Sequence, residues 1–388
     1  MRNLLLCLLT IASVAGAQRF PENDLNVVSQ VRIDLRELGY PPVDVIPPDE
    51  SVIHALAVAP NGAIYGVTSG KRSHLFVLHP LRGYVQPLGY LKGVASARAL
   101  AVSDAGEVYI GAADSGRLLK YTPPKDEDTR PILVDAALEV EDLGAPVPAE
   151  GIQAMEYSPV LIYGVTRPNG QLFTYDIRAS KFAVHGKVAE QDIPGEHFEK
   201  GKNIGRAIAV DGGAGFTSGE DGALFRFWPG GPTRLPVSVP AVPGREPYTR
   251  VDAWAKGPCG QLYGGTSDGY LFRFHPEKMT VENLGKPLNQ YRIRGLVFSR
   301  NGKLYGVGGD DDEMARLFSY DPSRGVYEIL GIIDVNRRPF YSWRAYTIGA
   351  MAIGRDDAIY LGQAERGSKL YLYYPEPRAA ASGCPAPQ

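Results

Sequence analysis

The chain has 388 residues, a formal net charge of −2, 44% hydrophobic residues, 45 glycines and 31 prolines. So even a balance leaves no overall field to draw nucleic acid or an anionic membrane, and neither is expected as a partner. Glycine and proline in this number suit many short strands joined by tight turns.

Residues 1–17, MRNLLLCLLTIASVAGA, read as a secretory signal peptide. Arg2 supplies the positive start, Leu4 to Val14 the apolar stretch, and Ala15-Gly16-Ala17 a cleavage site. The apolar run is too short to span a bilayer, so no membrane insertion is expected and the mature protein is placed in the periplasm or outside the cell. Cys259 falls in a turn and Cys384 in the tail. Two such residues make no disulfide framework, and both are read as incidental, with their pairing left open.

One phrase then recurs seven times: a small apolar strand, a Gly or Asp turn, Ile/Leu-Tyr-Gly, a polar loop, and an apolar-aromatic strand closing in Pro or Asp. Copies start at His54, Arg98, Gln153, Arg206, Asp252, Arg294 and Gly349, a spacing of about 49 residues, within the range of propeller blades. The expected fold is all-β, a seven-bladed β-propeller over residues 18–375, with 376–388 a flexible tail. In the first copy Asn61-Gly62 is the hairpin turn. Inner strands carry Ala, Val and Leu because they crowd the axis. Phe76, Tyr121, Phe173, Phe227, Phe274, Tyr320 and Tyr373, on the third strands, face the widening gap between blades. The last copy stops at KLYLYYP without a fourth strand, whereas 29–38 (SQVRIDLREL) alternates like a strand with nothing to pair with. Closure of the last blade by this N-terminal strand is expected, since it removes free edges.

Propeller topology gathers the first residues of the inner strands around the mouth of the central channel. That ring is His54, Arg98, Gln153, Arg206, Asp252, Arg294 and Gly349, where a purely structural ring would hold small or apolar residues. A second ring, at the starts of the third strands, reads His74, Arg117, Gln171, Ala223, Tyr270, Arg316 and Lys369. Adjoining loops add Tyr248, Arg250, Tyr291, Arg292, Arg344 and Tyr346, and His197 lies on a loop of the same face. Arginine forks match carboxylates or sulfates, and tyrosine offers a sugar-stacking face with a polar tip. The expected ligand is an acidic polysaccharide or oligosaccharide bound by a monomer, with Arg98, Gln153, Arg206, Asp252, Arg294, Arg117, Arg316 and His197 as binding residues. The plainer reading of the arginines is a network of inter-blade ion pairs with Asp252 or Glu156.

An imidazole among guanidiniums is kept neutral and available as a base, which makes His54 the first catalytic candidate. The plainer reading is a histidine satisfying inter-blade hydrogen bonds. His74, Tyr248 and Tyr291 are candidate acids. His79 and His275 sit in equivalent turns of the opposite face and are read as structural. No cofactor is required and no metal ligand set is assigned; the run Asp310 to Glu313 admits a structural Ca²⁺ but lacks the EF-hand spacing. Gly265-Thr266-Ser267-Asp268-Gly269 matches the serine-hydrolase string only as a hairpin turn, not as a strand-to-helix elbow.

The segment VIHALAVAPNGAIYGVTSGKRSHLFVLHP, together with a signal peptide and seven blades, resembles the L-rhamnose-α-1,4-D-glucuronate lyases, once regarded as α-L-rhamnosidases and acting on arabinogalactan side chains. The likeness spans roughly 29–375 and is strongest in the first blade. It implies β-elimination next to a uronic acid with one central histidine, matched here by His54. That family is not uniform at this histidine, and the arginines rest on the ring argument alone. Propeller lyases acting on ulvan or oligogalacturonate are similar in architecture and use comparable His, Tyr and Arg sets. The expected function is a secreted polysaccharide lyase. The alternatives are an α-L-rhamnosidase-type hydrolase and a non-catalytic propeller binding acidic glycan or protein.

Overall fold

The computed structural model describes residues 24–26 and 46–375, apart from 81–83, 128–133, 195–200, 311–312, 338–340 and 366. Seven antiparallel sheets form a ring, so the chain is an all-β seven-bladed propeller. Five sheets have four strands; the sixth blade gains Asp24–Asn26, parallel to its outer strand, and Tyr341–Arg344. The seventh blade holds three strands among the described residues, Ile348–Ile353, Ile359–Gln363 and Leu370–Tyr373. The segment 29–38 expected to complete it, the signal peptide and the tail all lie outside the described residues. Blade seven nevertheless packs directly on blade one, through Ile53, Ile64 and Phe76 against Tyr360, Leu370 and Leu372. Ser368 N–H donates to Ser51 Oγ at 3.1 Å across the same seam.

The Ile/Leu-Tyr-Gly phrase has a packing cause. The second strands, such as Ile64–Ser69 and Leu304–Gly308, are buried along their whole length because each blade is covered on both faces by its neighbours. The glycine is the seat of an aromatic ring from the third strand. A Cβ on Gly66 would stand 2.1 Å from the Phe76 ring, and one on Gly164 would stand 2.1 Å from Phe173. Blade turns on the mouth face are closed by a threonine at the end of the second strand. Thr68, Thr166 and Thr266 Oγ1 accept the N–H of His74, Gln171 and Tyr270 at 3.0, 3.1 and 3.0 Å. The 265–269 string is therefore a turn, with buried Asp268 accepting Thr249 Oγ1 at 2.7 Å and Val242 N–H at 3.0 Å. Cys259 is disulfide-bonded, which corrects the expectation that it is incidental.

Candidate functional site: a cationic cavity at the mouth of the channel

Six inner strands carry a β-bulge at one place, where their register with the second strand slips. The slips fall between Ile53 and Ala55, Ala97 and Ala99, Ile152 and Ala154, Val251 and Ala253, Ile293 and Gly295, and Ile348 and Ala350. The bulged residues are thus His54, Arg98, Gln153, Asp252, Arg294 and Gly349, six of the seven ring positions. A bulge leaves one residue out of the ladder and re-aims its side chain. In the fourth blade Arg206 precedes the strand Ala209–Asp211, and its N–H donates to the Val251 carbonyl of blade five at 2.8 Å.

All seven ring residues line one cavity of about 380 Å³, together with Arg292, Asp310, Thr347 and Ala364. A second lobe of about 310 Å³ shares Arg98, Gln153 and Arg206 with it and adds Arg167, Pro168, Ile193, Gly201, Lys202, Ile204 and Arg250. Across both lobes, seven guanidinium or ammonium groups face two carboxylates, Asp252 and Asp310.

The carboxylates are already committed. Asp252, with a side chain only 2% exposed, lies 3.8 Å from Arg206, 3.3 Å from Arg250 and 4.0 Å from Arg292. Burial acts to raise its carboxyl, but the guanidiniums of Arg206, Arg250, Arg292 and Arg294 outweigh this and hold it below the ordinary range. Asp310 pairs with Arg292 at 3.2 Å and with Arg294. Arg292 itself adopts a left-handed backbone, φ 59°, a conformation that costs a non-glycine residue about 1 kcal/mol and recurs at functional sites. The inter-blade ion-pair reading therefore holds for Arg206 with Asp252, whereas Arg294 pairs with Asp310 of its own blade.

It does not hold for Arg98. Its Nε is buried without a hydrogen-bond partner, and no carboxylate pairs with it among the described residues. Burial, then the nearby Arg167, lowers its pKa. His54 likewise has no hydrogen-bond partner among the described residues. Its imidazole is held down to about 3, first by burial and then by Arg98, Arg294 and Arg206. At neutral pH the ring is unprotonated. The cavity thus presents a neutral imidazole beside an uncommitted guanidinium, an arrangement that can hold a carboxylate and remove a proton next to it.

Other expected residues fall elsewhere. His74 is fully buried and its Nε2 lies 2.7 Å from Glu50 Oε2, so it does not face the cavity. The correction has a simple cause: its inward-pointing strand position meets the 46–51 segment before it meets the channel. Arg117 is engaged by Asp142 at 3.0 Å and the Lys92 carbonyl at 2.8 Å. Arg316 pairs within its sheet and lines neither lobe. Tyr248 and Tyr291 sit on the connections that deliver Arg250 and Arg292, but neither lines a lobe. Tyr248 donates its hydroxyl to the Pro194 carbonyl at 2.7 Å, and both rings flank Arg245, 5.7 and 5.9 Å from its guanidinium. They form an aromatic rim, with Tyr291 48% exposed. His197 lies outside the described residues, as do Asp311 and Asp312 of the acidic run. Among the described residues no cluster of metal ligands occurs, and Asp310 serves the arginines.

Arg167 and Lys202 escaped the repeat-based reading because they do not start a repeat. Arg167 ends a second strand, where blades one and five have Ser69 and Ser267. An arginine breaking that Thr-Ser pattern was the available signal.

The fold and cavity define a seven-bladed propeller with a cation-lined mouth. No family model matches the chain and no curated protein matches it. Among solved structures it is similar to a streptogramin B lyase, at 11% identity and a TM-score of 0.60, covering 84% of this chain and 95% of that one. It is also similar to virginiamycin B lyase from Staphylococcus aureus, at 14% identity and a TM-score of 0.58, covering 83% and 94%. A chain of the mitotic checkpoint complex matches at 13% identity and a TM-score of 0.56, covering 97% and 99%. At these identities the likeness shows the fold.

Proposed function

We propose that this chain is a secreted carbon–oxygen lyase that cleaves acidic glycans next to a uronic acid by β-elimination. The observation that carries the reading is an unprotonated His54 near an Arg98 that has no carboxylate partner among the described residues. Elimination needs the uronate carboxylate neutralised, a base for the C5 proton, and a proton for the departing O4. Arg98, supported by Gln153 and Arg206, receives the carboxylate and makes the C5 proton more acidic. The bound carboxylate also offsets the Arg98 charge that depresses His54, so the imidazole becomes a better base when ligand is present. His54 takes the C5 proton, the C4–C5 double bond forms as the C4–O4 bond breaks, and the same imidazolium returns its proton to O4. No tyrosine lines the cavity among the described residues, which favours His54 in both roles and a syn course.

Two lyases among the fold neighbours are consistent with such chemistry on this scaffold. The hydrolase alternative is less well supported. It calls for a pair of carboxyl groups, one of them protonated, and both carboxylates of the cavity are tied to arginines. The bonded Cys259 fits an oxidising compartment outside the cytoplasm, in line with the signal-like N-terminus.

The test is incubation of the mature protein with uronate-bearing glycans, gum arabic among them, while following the ultraviolet absorbance of an unsaturated uronate. A rise supports elimination. Released rhamnose without that absorbance points to hydrolysis, and binding without either product leaves a non-catalytic platform.

A further inference from the structure

Arg98 and Arg167 share a wall of the second lobe with no carboxylate between them among the described residues. Arg98 is buried at Nε, and Arg167 is one of the charges that depress it. The carboxylates near the lobe do little to relieve this. Lys202 stands 3.7 Å from Asp192, a side chain 75% exposed, and Arg250 is drawn to Asp252 at 3.3 Å. Two guanidiniums on one concave wall repel one another, and an oxyanion placed between them removes that cost. Apolar Pro168, Ile193 and Ile204 complete the lining and suit the faces of a sugar ring.

We propose that the second lobe is a subsite for a second anionic group, a carboxylate or a sulfate ester, on the sugar adjoining the uronate held at Arg98. This rests on the reading that the first lobe receives a uronate. Because the lobes share Arg98, Gln153 and Arg206, the two charges lie on either side of a common wall. The preferred ligand is then a glycan charged on consecutive sugars, not an isolated uronate among neutral ones.

The test is calorimetric titration of His54→Ala protein, which keeps ligand intact, with and without Arg167→Ala. Three disaccharides are compared: a uronate joined to a neutral sugar, a diuronide, and a uronate joined to a sulfated sugar. A doubly charged ligand is expected to bind about tenfold more tightly than the singly charged one. Arg167→Ala, at an exposed position, should abolish that advantage by weakening the doubly charged ligands far more than the singly charged one. Gain from the diuronide alone assigns a carboxylate, and gain from the sulfated ligand alone assigns a sulfate ester. Equal affinity for all three ligands, or an advantage that survives Arg167→Ala, overturns the proposal. Charge-dependent binding by a protein whose wild type shows no elimination would sink the lyase reading and leave the subsite standing. Elimination without the charge dependence would do the reverse.

Discussion

His54 and Arg98 hold the same bulged position in neighbouring inner strands, and this brings together a guanidinium and an imidazole that have no carboxylate and no hydrogen-bond partner, respectively, among the described residues. Arg98 is the leading charge that keeps His54 unprotonated, second only to burial. The two residues therefore act as a unit. Replacing His54 by alanine should lower turnover on an acidic glycan by about 10³-fold, the scale of a lost general base, with ligand affinity retained. Steady-state kinetics beside calorimetry would check this; unchanged turnover excludes His54 as the base.

The pH dependence follows from the same pair. The free protein's imidazole titrates at about 3 instead of its ordinary 6.5, so kcat/KM should show no acid limb near 6.5 and should fall only as pH approaches 3. The unfolded chain takes up this proton first as pH falls. Stability contributed by the unprotonated ring is therefore full above 6.5 and lost progressively toward 3. His54→Gln should flatten the loss, as followed by urea unfolding across that range.

Asp252 is the anion that lets three arginines converge. Asp252→Asn keeps the shape but leaves Arg206, Arg250 and Arg292 without their shared carboxylate, and breaking a buried pair in this way costs about 3–5 kcal/mol. Chemical denaturation measures the cost directly. A loss below about 1 kcal/mol would mean that solvent screens these pairs as it does at an open surface.

Glu156 stands opposite Tyr163, where four other blades place Ala57, Ala101, Ala255 and Ala352 opposite the equivalent tyrosine. The side chain reaches water, yet the surrounding protein raises its carboxyl from 4.5 to about 7. The folded chain thus holds this proton more tightly than the unfolded one. Its contribution is present below 4.5 and lost as pH rises through 7. Glu156→Gln should raise the thermal midpoint at pH 8 and leave it nearly unchanged at pH 4; an equal shift at both would contradict the assignment.

Gly66→Ala tests the packing role of the repeated glycine. The added methyl would stand 2.1 Å from Phe76, a fully buried ring, and overpacking of this kind costs about 1–3 kcal/mol. A Gly106→Ala control, where the Cβ meets nothing within 4 Å but the backbone φ is 86°, isolates backbone strain from the clash.

The sequence by itself determined the number of blades and the roster of the ring. In five of the seven blades its repeat pairs a glycine with the aromatic ring it must seat, and such volume matching leaves a mark at a fixed spacing. Charge at repeat position one was equally visible, because six bulges present that position identically. What stayed hidden depended on neighbours far apart in the chain. Arg98 and Arg294 look alike in the repeat, yet Arg294 meets Asp310 and Arg98 meets no carboxylate among the described residues. His54 and His74 both lie near the mouth-face ends of their strands, yet only His74 meets Glu50. Arg167 and Lys202 join the site because two loops of different blades converge over it. Repeat periodicity encodes where a residue sits within its blade. Only the closed ring decides which charge it faces, since that depends on packing between blades and not on any one of them.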